Sequence, residues 1–133
     1  MRLTQLIYAS RPFGFTESGL DDILLAARRN NARRGITGAL ICRSDLFMQM
    51  LEGPRTLVTE TFGRILQDDR HVDVSLIWTG DTNERLFPQW DMRDDPMRSW
   101  MWSPADVRAG AVREAPMEEA RAVFARIAAE PAP

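Results

Sequence analysis

The chain has 133 residues, of which 44% are apolar, and its 17 basic and 19 acidic side chains give a formal net charge of -2. This composition predicts one globular domain with a single core, and the charge balance does not favour nucleic-acid binding. One cysteine and one histidine exclude an internal disulfide and a four-ligand Cys/His zinc site. Because every basic residue is arginine, lysine-dependent chemistry such as Schiff-base formation is excluded as well.

The N-terminal residues and the hydropathy pattern predict a protein without a signal peptide or a membrane span. Residues 1–11 lack the long apolar centre of a signal peptide. The longest uncharged apolar stretch, residues 35–42, is too short to cross a bilayer. Together with the single cysteine, this favours a reducing, cytoplasmic location without membrane contact.

The first part of the chain alternates strand and helix patterns. The spacing of its apolar residues predicts, in order, a strand over 3–10, a helix from Ser18 that stops at Gly35, strands over 36–43 and 46–52, a helix over 55–69 and strands over 72–78 and 89–93. The order β-α-β-β-α-β with one extra strand indicates an α+β, ferredoxin-like fold. In this fold a five-stranded mixed sheet carries two helices on one face.

Beyond Trp102 the composition changes, and two more helices are predicted. Ser103 and Pro104 mark the start of the first, and Pro116 opens the second, which extends to about Glu130. The sheet face without helices needs a cover, so we expect these two helices to lie on it. The expected division is a main unit over residues 1–96 and a helical extension over 97–133, packed on the same domain.

Two asparagines interrupt the apolar stripe of the first predicted helix. Asn30 and Asn31 follow Ile23, Leu24 and Ala27 at helical spacing, so both amides are expected to point towards the core. A buried carboxamide without hydrogen-bond partners costs about 1–3 kcal/mol. The pair therefore indicates either a cap at the helix end or a polar planar ligand.

Other polar or aromatic residues leave similar alternatives. Gln49 shares a face of an apolar strand with two apolar neighbours, which also fits a hydrogen-bonded core glutamine. Tyr8, the only tyrosine, is typical of a core residue with a tethered hydroxyl. Trp90 and Met92 share one face of the fifth predicted strand, where core packing is the first interpretation. Residues 68–71 fit a solvated helix end.

The order of these residues along the chain is more specific than any one of them. Five segments carry a resemblance: Leu6–Ser10, Asn30–Leu40, Phe47–Pro54, Asp69–His71 and Phe87–Met92. Over residues 2–95 the chain resembles the BLUF family of blue-light sensors that use flavin, most specifically around Asn31 and Gln49. The resemblance implies a flavin, FAD with FMN or riboflavin as alternatives, held between the two helices on the sheet.

The resemblance also implies which side chains hold the flavin. Asn30 and Asn31 would meet the polar edge of its ring system, while Arg70 would face the phosphates, with a solvated cation as the alternative. His71 would lie near the ring, and an isoleucine from each helix would pack on it. The implied cofactor-binding set is Ser10, Ile23, Asn30, Asn31, Gln49, Ile65, Arg70 and His71.

Tyr8 and Gln49 match the photochemical pair of the family. The resemblance implies that the excited flavin takes an electron from Tyr8, that a proton follows through Gln49, and that the rearranged Gln49 amide shifts the absorption to the red. Glutamine suits this role because one end of its amide donates while the other accepts. Trp90 and Met92 would relay the change from Gln49 to the sheet. Met50 stands where several relatives carry an aromatic residue.

The resemblance implies a photoreceptor that is not an enzyme and acts on a separate protein in trans, with a homodimer as one form of assembly. Two other classes stay open. A flavoenzyme needs a substrate-side acid, base or nucleophile, for which the sequence offers only Tyr8 and His71. A ferredoxin-like binding module without flavin leaves Asn31 and Gln49 without a role. A yellow purified protein argues against the module, and a reversible light response without reductant argues against the enzyme.

Overall fold

The computed structural model describes residues 2–12, 17–68, 71–98 and 100–131. Within these ranges the elements, in chain order, are β1 (Leu3–Pro12), α1 (Glu17–Arg34), β2 (Thr37–Arg43), β3 (Leu46–Gly53), α2 (Arg55–Leu66), β4 (His71–Thr82), β5 (Arg93–Pro96), α3 (Pro104–Arg108) and α4 (Met117–Ala128). None of the helices in these ranges combines the length and the apolar content that a bilayer span requires.

Local signals in the sequence explain where two helices begin or end. Gly35 follows α1 in the left-handed conformation, with φ of 66°, and ends that helix as the sequence predicts. Ser103 caps α3 through a capping box, in which its side chain accepts from the Asp106 N–H and the Asp106 carboxylate accepts from the Ser103 N–H. Beyond Gly35 the Ile36 N–H donates to the Asn31 carbonyl at 3.0 Å, so the end of α1 and the start of α3 each have hydrogen bonds of the kind that a helix terminus needs.

The five strands form one mixed sheet in the order β4-β1-β3-β2-β5. β1 pairs antiparallel with β3 and β4, β2 pairs antiparallel with β3, and β2 and β5 run parallel. The predicted α+β, ferredoxin-like fold with a five-stranded mixed sheet is confirmed. This order places β1 and β3 side by side in the interior of the sheet.

The side chains of the central strands alternate between two hydrophobic clusters, one on each face of the sheet. On one face, Leu6, Tyr8 and Leu51 pack with Leu24 of α1 and Val58 of α2. On the other face the buried residues from the strands and from α4 include Ile7, Met48, Met50, Phe124 and Ile127. The C-terminal part of the chain thus covers the face opposite α1 and α2, as the sequence predicts.

The fifth strand begins later than the sequence predicts, at Arg93. The preceding segment, residues 86–92, is irregular because its backbone groups bond outside a strand ladder. Two of its N–H groups donate to the Glu52 carboxylate, at 2.9 and 2.6 Å. One of its carbonyls, that of Trp90, accepts from the Gly38 N–H at 3.1 Å.

Candidate functional site

The pairing of β1 with β3 places Tyr8 directly opposite Gln49. Residues opposed in this way in an antiparallel pair have Cβ atoms close enough for their side chains to touch. A register slip of one residue would move the apolar residues of this face to the other side of the sheet. The same apolar alternation that builds the core therefore also brings the tyrosine and the glutamine together.

The Tyr8 hydroxyl, the Gln49 amide and the Met92 thioether form a buried chain of contacts. The Tyr8 O–H donates to Gln49 Oε1, and Gln49 Nε2 donates to Met92 Sδ at 3.2 Å. The exposed fractions are 0% for Tyr8, 5% for Gln49 and 1% for Met92. Both ends of the Gln49 amide are thus in use, one as an acceptor and the other as a donor.

The environment of Tyr8 raises its pKa above the ordinary value of 10.0, chiefly through burial and further through the Asp68 carboxylate. Both effects disfavour the phenolate, burial by removing water and Asp68 by like-charge repulsion. Tyr8 therefore stays protonated throughout the physiological pH range. A reaction that removes an electron from Tyr8 must also find an acceptor for its proton, and Gln49 Oε1 is in contact with it.

A cavity of about 110 Å³ lies beside this chain of contacts, between α1 and α2. Its lining residues are Tyr8, Ile23, Ala26, Ala27, Asn30, Asn31, Arg34, Gln49, Leu51, Thr61, Arg64, Ile65 and Asp68. Six of these are residues that the sequence analysis selects: Tyr8, Ile23, Asn30, Asn31, Gln49 and Ile65. The fold thus collects into one place side chains from two strands and two helices.

Asn31 has a partner that the sequence did not indicate. Its side chain is 1% exposed, and its Nδ2 donates to the Asp91 carbonyl at 2.9 Å. One helical turn earlier, Arg28 Nε donates to the Met92 carbonyl at 3.1 Å. Through these two bonds, α1 fastens the irregular segment that carries Met92 to the wall of the cavity.

Some of the selected residues lie elsewhere. Ser10 follows Tyr8 in β1 but lines a different cavity. Trp90 is 39% exposed and precedes β5 together with Met92, so the prediction that they share a strand face is wrong. Arg70 and the side chain of His71 lie outside the described residues.

Sequence reasoning found Ile65 in the cavity wall but missed its polar neighbours Thr61 and Asp68. Thr61, Ile65 and Asp68 recur at helical spacing and therefore share one side of α2 or of its continuation. A search for polar residues at helical spacing, which singles out the asparagines of α1, also identifies this side when it is applied to residues 61–68. Arg34 Nη1 donates to Thr61 Oγ1 at 3.2 Å and so joins α1 to α2 at the cavity.

Comparison with known proteins agrees with this geometry. The family model of BLUF, described as sensors of blue light using FAD, matches residues 3–93. The chain belongs to the BLUF family. The matched region contains β1 to β4, α1 and α2, and therefore every element that lines the cavity.

Relatives of this BLUF chain include both long and short proteins. The photoactivated adenylate cyclase subunit beta of Euglena gracilis is 38% identical over 91 residues, which are 68% of this chain and 10% of that protein. The chain therefore spans about a tenth of the length of that curated relative. BlrB, a BLUF protein solved in its dark state, is 30% identical, with 96% of each chain covered and a TM-score of 0.81. BlsA in its photo-activated state shares the fold at 23% identity, with 100% and 99% covered and a TM-score of 0.80.

The residues around the BLUF cavity fit a flavin. The isoalloxazine ring system is planar, with an apolar end and an edge of alternating carbonyl and N–H groups. Asn30, Asn31 and Gln49 supply carboxamides, which can donate and accept along such an edge. Ile23 and Ile65, from different helices, supply apolar surface. Amides beside apolar walls are the donor set that this ring system needs.

Proposed function

We propose that this BLUF domain senses blue light through Tyr8 and Gln49, with FAD held between α1 and α2. The observation that carries the proposal is the buried chain from Tyr8 through Gln49 to Met92 beside the cavity. The family description names FAD. FMN and riboflavin have the same ring system, so mass spectrometry of flavin released from the purified protein distinguishes the three.

The roles that we assign in holding the flavin follow from the chemistry of each side chain. Asn30 and Asn31 hydrogen-bond the polar edge of the ring, and the two isoleucines pack on it. Arg70 pairs with the phosphates, because a guanidinium matches their geometry. The proposed binding set is Ser10, Ile23, Asn30, Asn31, Gln49, Ile65, Arg70 and His71.

The proposed light reaction starts at Tyr8. When bound and excited by blue light, a flavin supplies a one-electron oxidant in this site. Tyr8 gives up an electron, and its phenolic proton passes to Gln49 Oε1, which already accepts the hydrogen bond. The Gln49 amide would rearrange while the electron returns to Tyr8 from the oxidant and a proton returns through Gln49, so no net oxidation remains and the net change is a new set of hydrogen bonds around Gln49. In the proposed signalling state, Gln49 Nε2 no longer donates to Met92 Sδ.

We propose Met92 and Trp90 as the relay out of the site. Met92 contacts Gln49 and is followed directly by Arg93, the first residue of β5. Arg93 donates to the carbonyls of Glu130 and Pro131, at 2.9 and 3.0 Å, beyond the end of α4. A displacement of Met92 is thus coupled through one strand to the C-terminal helix. Trp90 lies two residues before Met92, and we propose that its partly exposed side chain is where this segment contacts a partner.

The output that we propose is signalling to a separate protein in trans rather than catalysis by this chain. The matched region is a sensor module, and the name of the Euglena gracilis relative joins light activation to adenylate cyclase. Residues 1–96 would form the flavin-binding unit and 97–133 the extension packed on it, alone or in a homodimer. We place the protein in the cytoplasm, without nucleic-acid or membrane partners.

The deciding experiment is an absorption spectrum before and after blue light, followed through recovery in darkness. We expect a flavin spectrum that shifts slightly to the red and returns. Gln49→Leu and Tyr8→Phe should bind flavin but lose the reversible shift, because the first has no amide and the second has no phenolic proton. Gln67→Leu, at an exposed glutamine after α2, is the matched control and should respond as the unmodified protein does.

Three results would contradict the proposal. A protein that stays colourless after flavin reconstitution is a binding module of another kind. A flavin whose spectrum changes only with added reductant belongs to a redox protein. A full reversible shift in Gln49→Leu would remove Gln49 from the mechanism.

A further inference from the structure

A second and larger cavity lies on the face of the sheet opposite the flavin site. Its volume is about 480 Å³, which falls within the range of small-molecule sites, roughly 300–1,000 Å³. Its apolar surface comes from Ala9, Leu46 and Val112, all of them buried members of the core cluster that includes α4. Ser10, a member of the proposed flavin-binding set, also lines this cavity, but the proposed light reaction uses no residue of its apolar surface.

Both acidic residues of this cavity are already paired with arginine. Asp45 is bound through both of its oxygens by Arg43, and this bond holds the pKa of Asp45 below its ordinary value. Asp73 Oδ2 accepts from Arg11 Nη2 at 2.9 Å and lies 3.5 Å from Arg113 Nη2. The carboxylates therefore do not offer the cavity an unbalanced negative charge.

The arginines of the cavity outnumber these acids. Arg11, Arg108 and Arg113 line it, and Arg43 neutralises Asp45 from beside it. The Arg108 side chain makes no hydrogen bond and no ion pair within the part of the chain that the structure describes, although its positive charge helps to lower the pKa of Asp45. The side chain of Arg113 is 57% exposed. The cavity thus combines an apolar surface with a surplus of guanidinium groups.

The backbone on two sides of the cavity is in the left-handed region. Asp73 has φ of 54° and Gly110 has φ of 84°. The pairing of β1 with β4 is irregular at this point, between Ala9 and Arg11. A non-glycine residue in this conformation is uncommon, and such positions concentrate at binding sites. In this cavity the non-glycine residue with a left-handed backbone is Asp73, whose carboxylate lies between Arg11 and Arg113.

We propose that this cavity binds a small organic anion, with one carboxylate or phosphate group on a compact apolar body. Arg108 and Arg113 hold the anionic group, because a guanidinium pairs with either group through two parallel hydrogen bonds. The apolar body lies on Leu46 and Val112. A ligand in this place contacts β1 just beyond Tyr8 as well as the turn between α3 and α4.

The test is a titration of the flavin-loaded protein in the dark, followed by ¹H–¹⁵N NMR. The probes are phenyl phosphate, benzoate, benzyl alcohol and inorganic phosphate. We expect saturable shifts of the Gly110 and Val112 amides with phenyl phosphate, benzoate or both, which identifies the preferred anionic group. Benzyl alcohol lacks the charge and inorganic phosphate lacks the apolar body, so each should bind at least about tenfold more weakly. Saturable binding by neither organic anion, or equal binding of benzyl alcohol, overturns the proposal.

Paired variants locate the anion. Arg108→Gln combined with Arg113→Gln should weaken binding about tenfold or more, since charge-assisted hydrogen bonds are lost. Arg29→Gln combined with Arg33→Gln makes the same charge change on the exposed side of α1 and should bind as the unmodified protein does. Equal affinity in the two double variants contradicts the assignment. If the first pair fails to fold, Arg108→Gln alone decides it, because the Arg108 side chain has no hydrogen bond in the described chain to lose and Asp45 keeps both of its bonds to Arg43. No step needs illumination, so this result is independent of the light response.

Discussion

The Gln49 side chain has two chemically different ends, and each has its own partner. Its carbonyl oxygen accepts from the Tyr8 hydroxyl, and its amide nitrogen donates to the Met92 sulfur at 3.2 Å. A thioether is a weak acceptor, whereas a phenolic O–H is a good donor. In the proposed light reaction, a rearrangement of the Gln49 amide would therefore break its weaker contact, the one with Met92 Sδ, at little cost.

We expect Met92→Ala to change the rate of dark recovery, because it removes the acceptor of Gln49 Nε2 and leaves space beside the amide. A contact of about 0.5–1.5 kcal/mol corresponds to a roughly two- to tenfold change in rate. Trp90→Ala alters a side chain that is 39% exposed and should change the rate less than about twofold. The measurement is absorbance at the red edge after a blue pulse. No effect in either variant would remove both residues from the relay.

We expect Asp68→Asn to lower the yield of the red-shifted state per absorbed photon. The Asp68 carboxylate acts on Tyr8, as the raised Tyr8 pKa records, and a negative charge favours the loss of an electron from a neighbouring group. An interaction of about 1 kcal/mol predicts a roughly fivefold slower loss of the electron from Tyr8, which lowers the yield by up to the same factor. Asp22→Asn, at an exposed position of α1, changes the charge equally and is the control. Equal yields in the two variants would show that the charge of Asp68 does not promote oxidation of Tyr8.

At the scale of elements, the sequence predicts the strands and helices whose apolar residues recur at a regular spacing. It misses the segments whose conformation depends on bonds to residues far away in the chain. Period-two alternation in the strands predicts that Gln49 lies on an apolar strand face, and helical spacing predicts the inward side of α1, whereas the pairing of Tyr8 with Gln49 is implied only by the family resemblance. Residues 86–92 are irregular because the Glu52 carboxylate binds two of their N–H groups and Asn31 binds one of their carbonyls. Hydrogen bonds between residues so far apart in the chain leave no periodic pattern in the sequence. The sequence therefore predicts a strand over 89–93, whereas β5 begins only at Arg93.

Cys42 of β2 reports on the position of β5. Its Sγ lies 3.8 Å from Asp94 Oδ1, and burial, with a further effect of Asp94, raises the pKa of Cys42 from 9.0 to about 12. A pKa that is higher in the folded than in the unfolded state stabilises the fold at pH values below the unfolded pKa. This contribution is therefore complete below about pH 9 and is lost as the pH rises towards 12.

We expect iodoacetamide to modify native Cys42 slowly, because the thiolate is the nucleophile. At pH 9 the rate should be roughly a hundredfold or more below that of the urea-unfolded protein, and it should still be rising above pH 10. Asp94→Asn should accelerate the reaction at pH 9, whereas Asp91→Asn, at an exposed side chain, should not. A native rate that levels off near pH 9 would contradict the raised pKa. Faster modification under blue light would indicate that β5 moves away from β2.

The whole molecule uses one sheet for two packing surfaces, and hydrogen bonds link its C-terminal part to the segments before and after Met92. Arg121 of α4 donates to Gln5 Oε1 at 3.2 Å, and Gln5 Nε2 donates to Glu52 Oε2 at 3.1 Å. Glu52 in turn binds the segment before β5, and Arg93 after it donates to the Glu130 carbonyl. The C-terminal extension is thus bonded directly to Arg93, which follows Met92, and is linked through Gln5 and Glu52 to the segment that precedes it.

We therefore expect residues 1–96 alone to be much less stable than the full chain, because the loss of residues 97–133 uncovers a whole face of the sheet.

The size of the effect can be tested first at Phe124, which is 0% exposed and meets Phe87 edge-on at 6.4 Å between ring centroids. Phe124→Ala should lower the free energy of unfolding by about 3–5 kcal/mol, whereas exposed Glu118→Ala should change it by less than about 0.5 kcal/mol. Urea unfolding, followed by flavin absorbance in the dark, measures both. If residues 1–96 instead keep the flavin spectrum and the recovery rate of the full chain, α4 only reads the signal and does not support the fold that produces it.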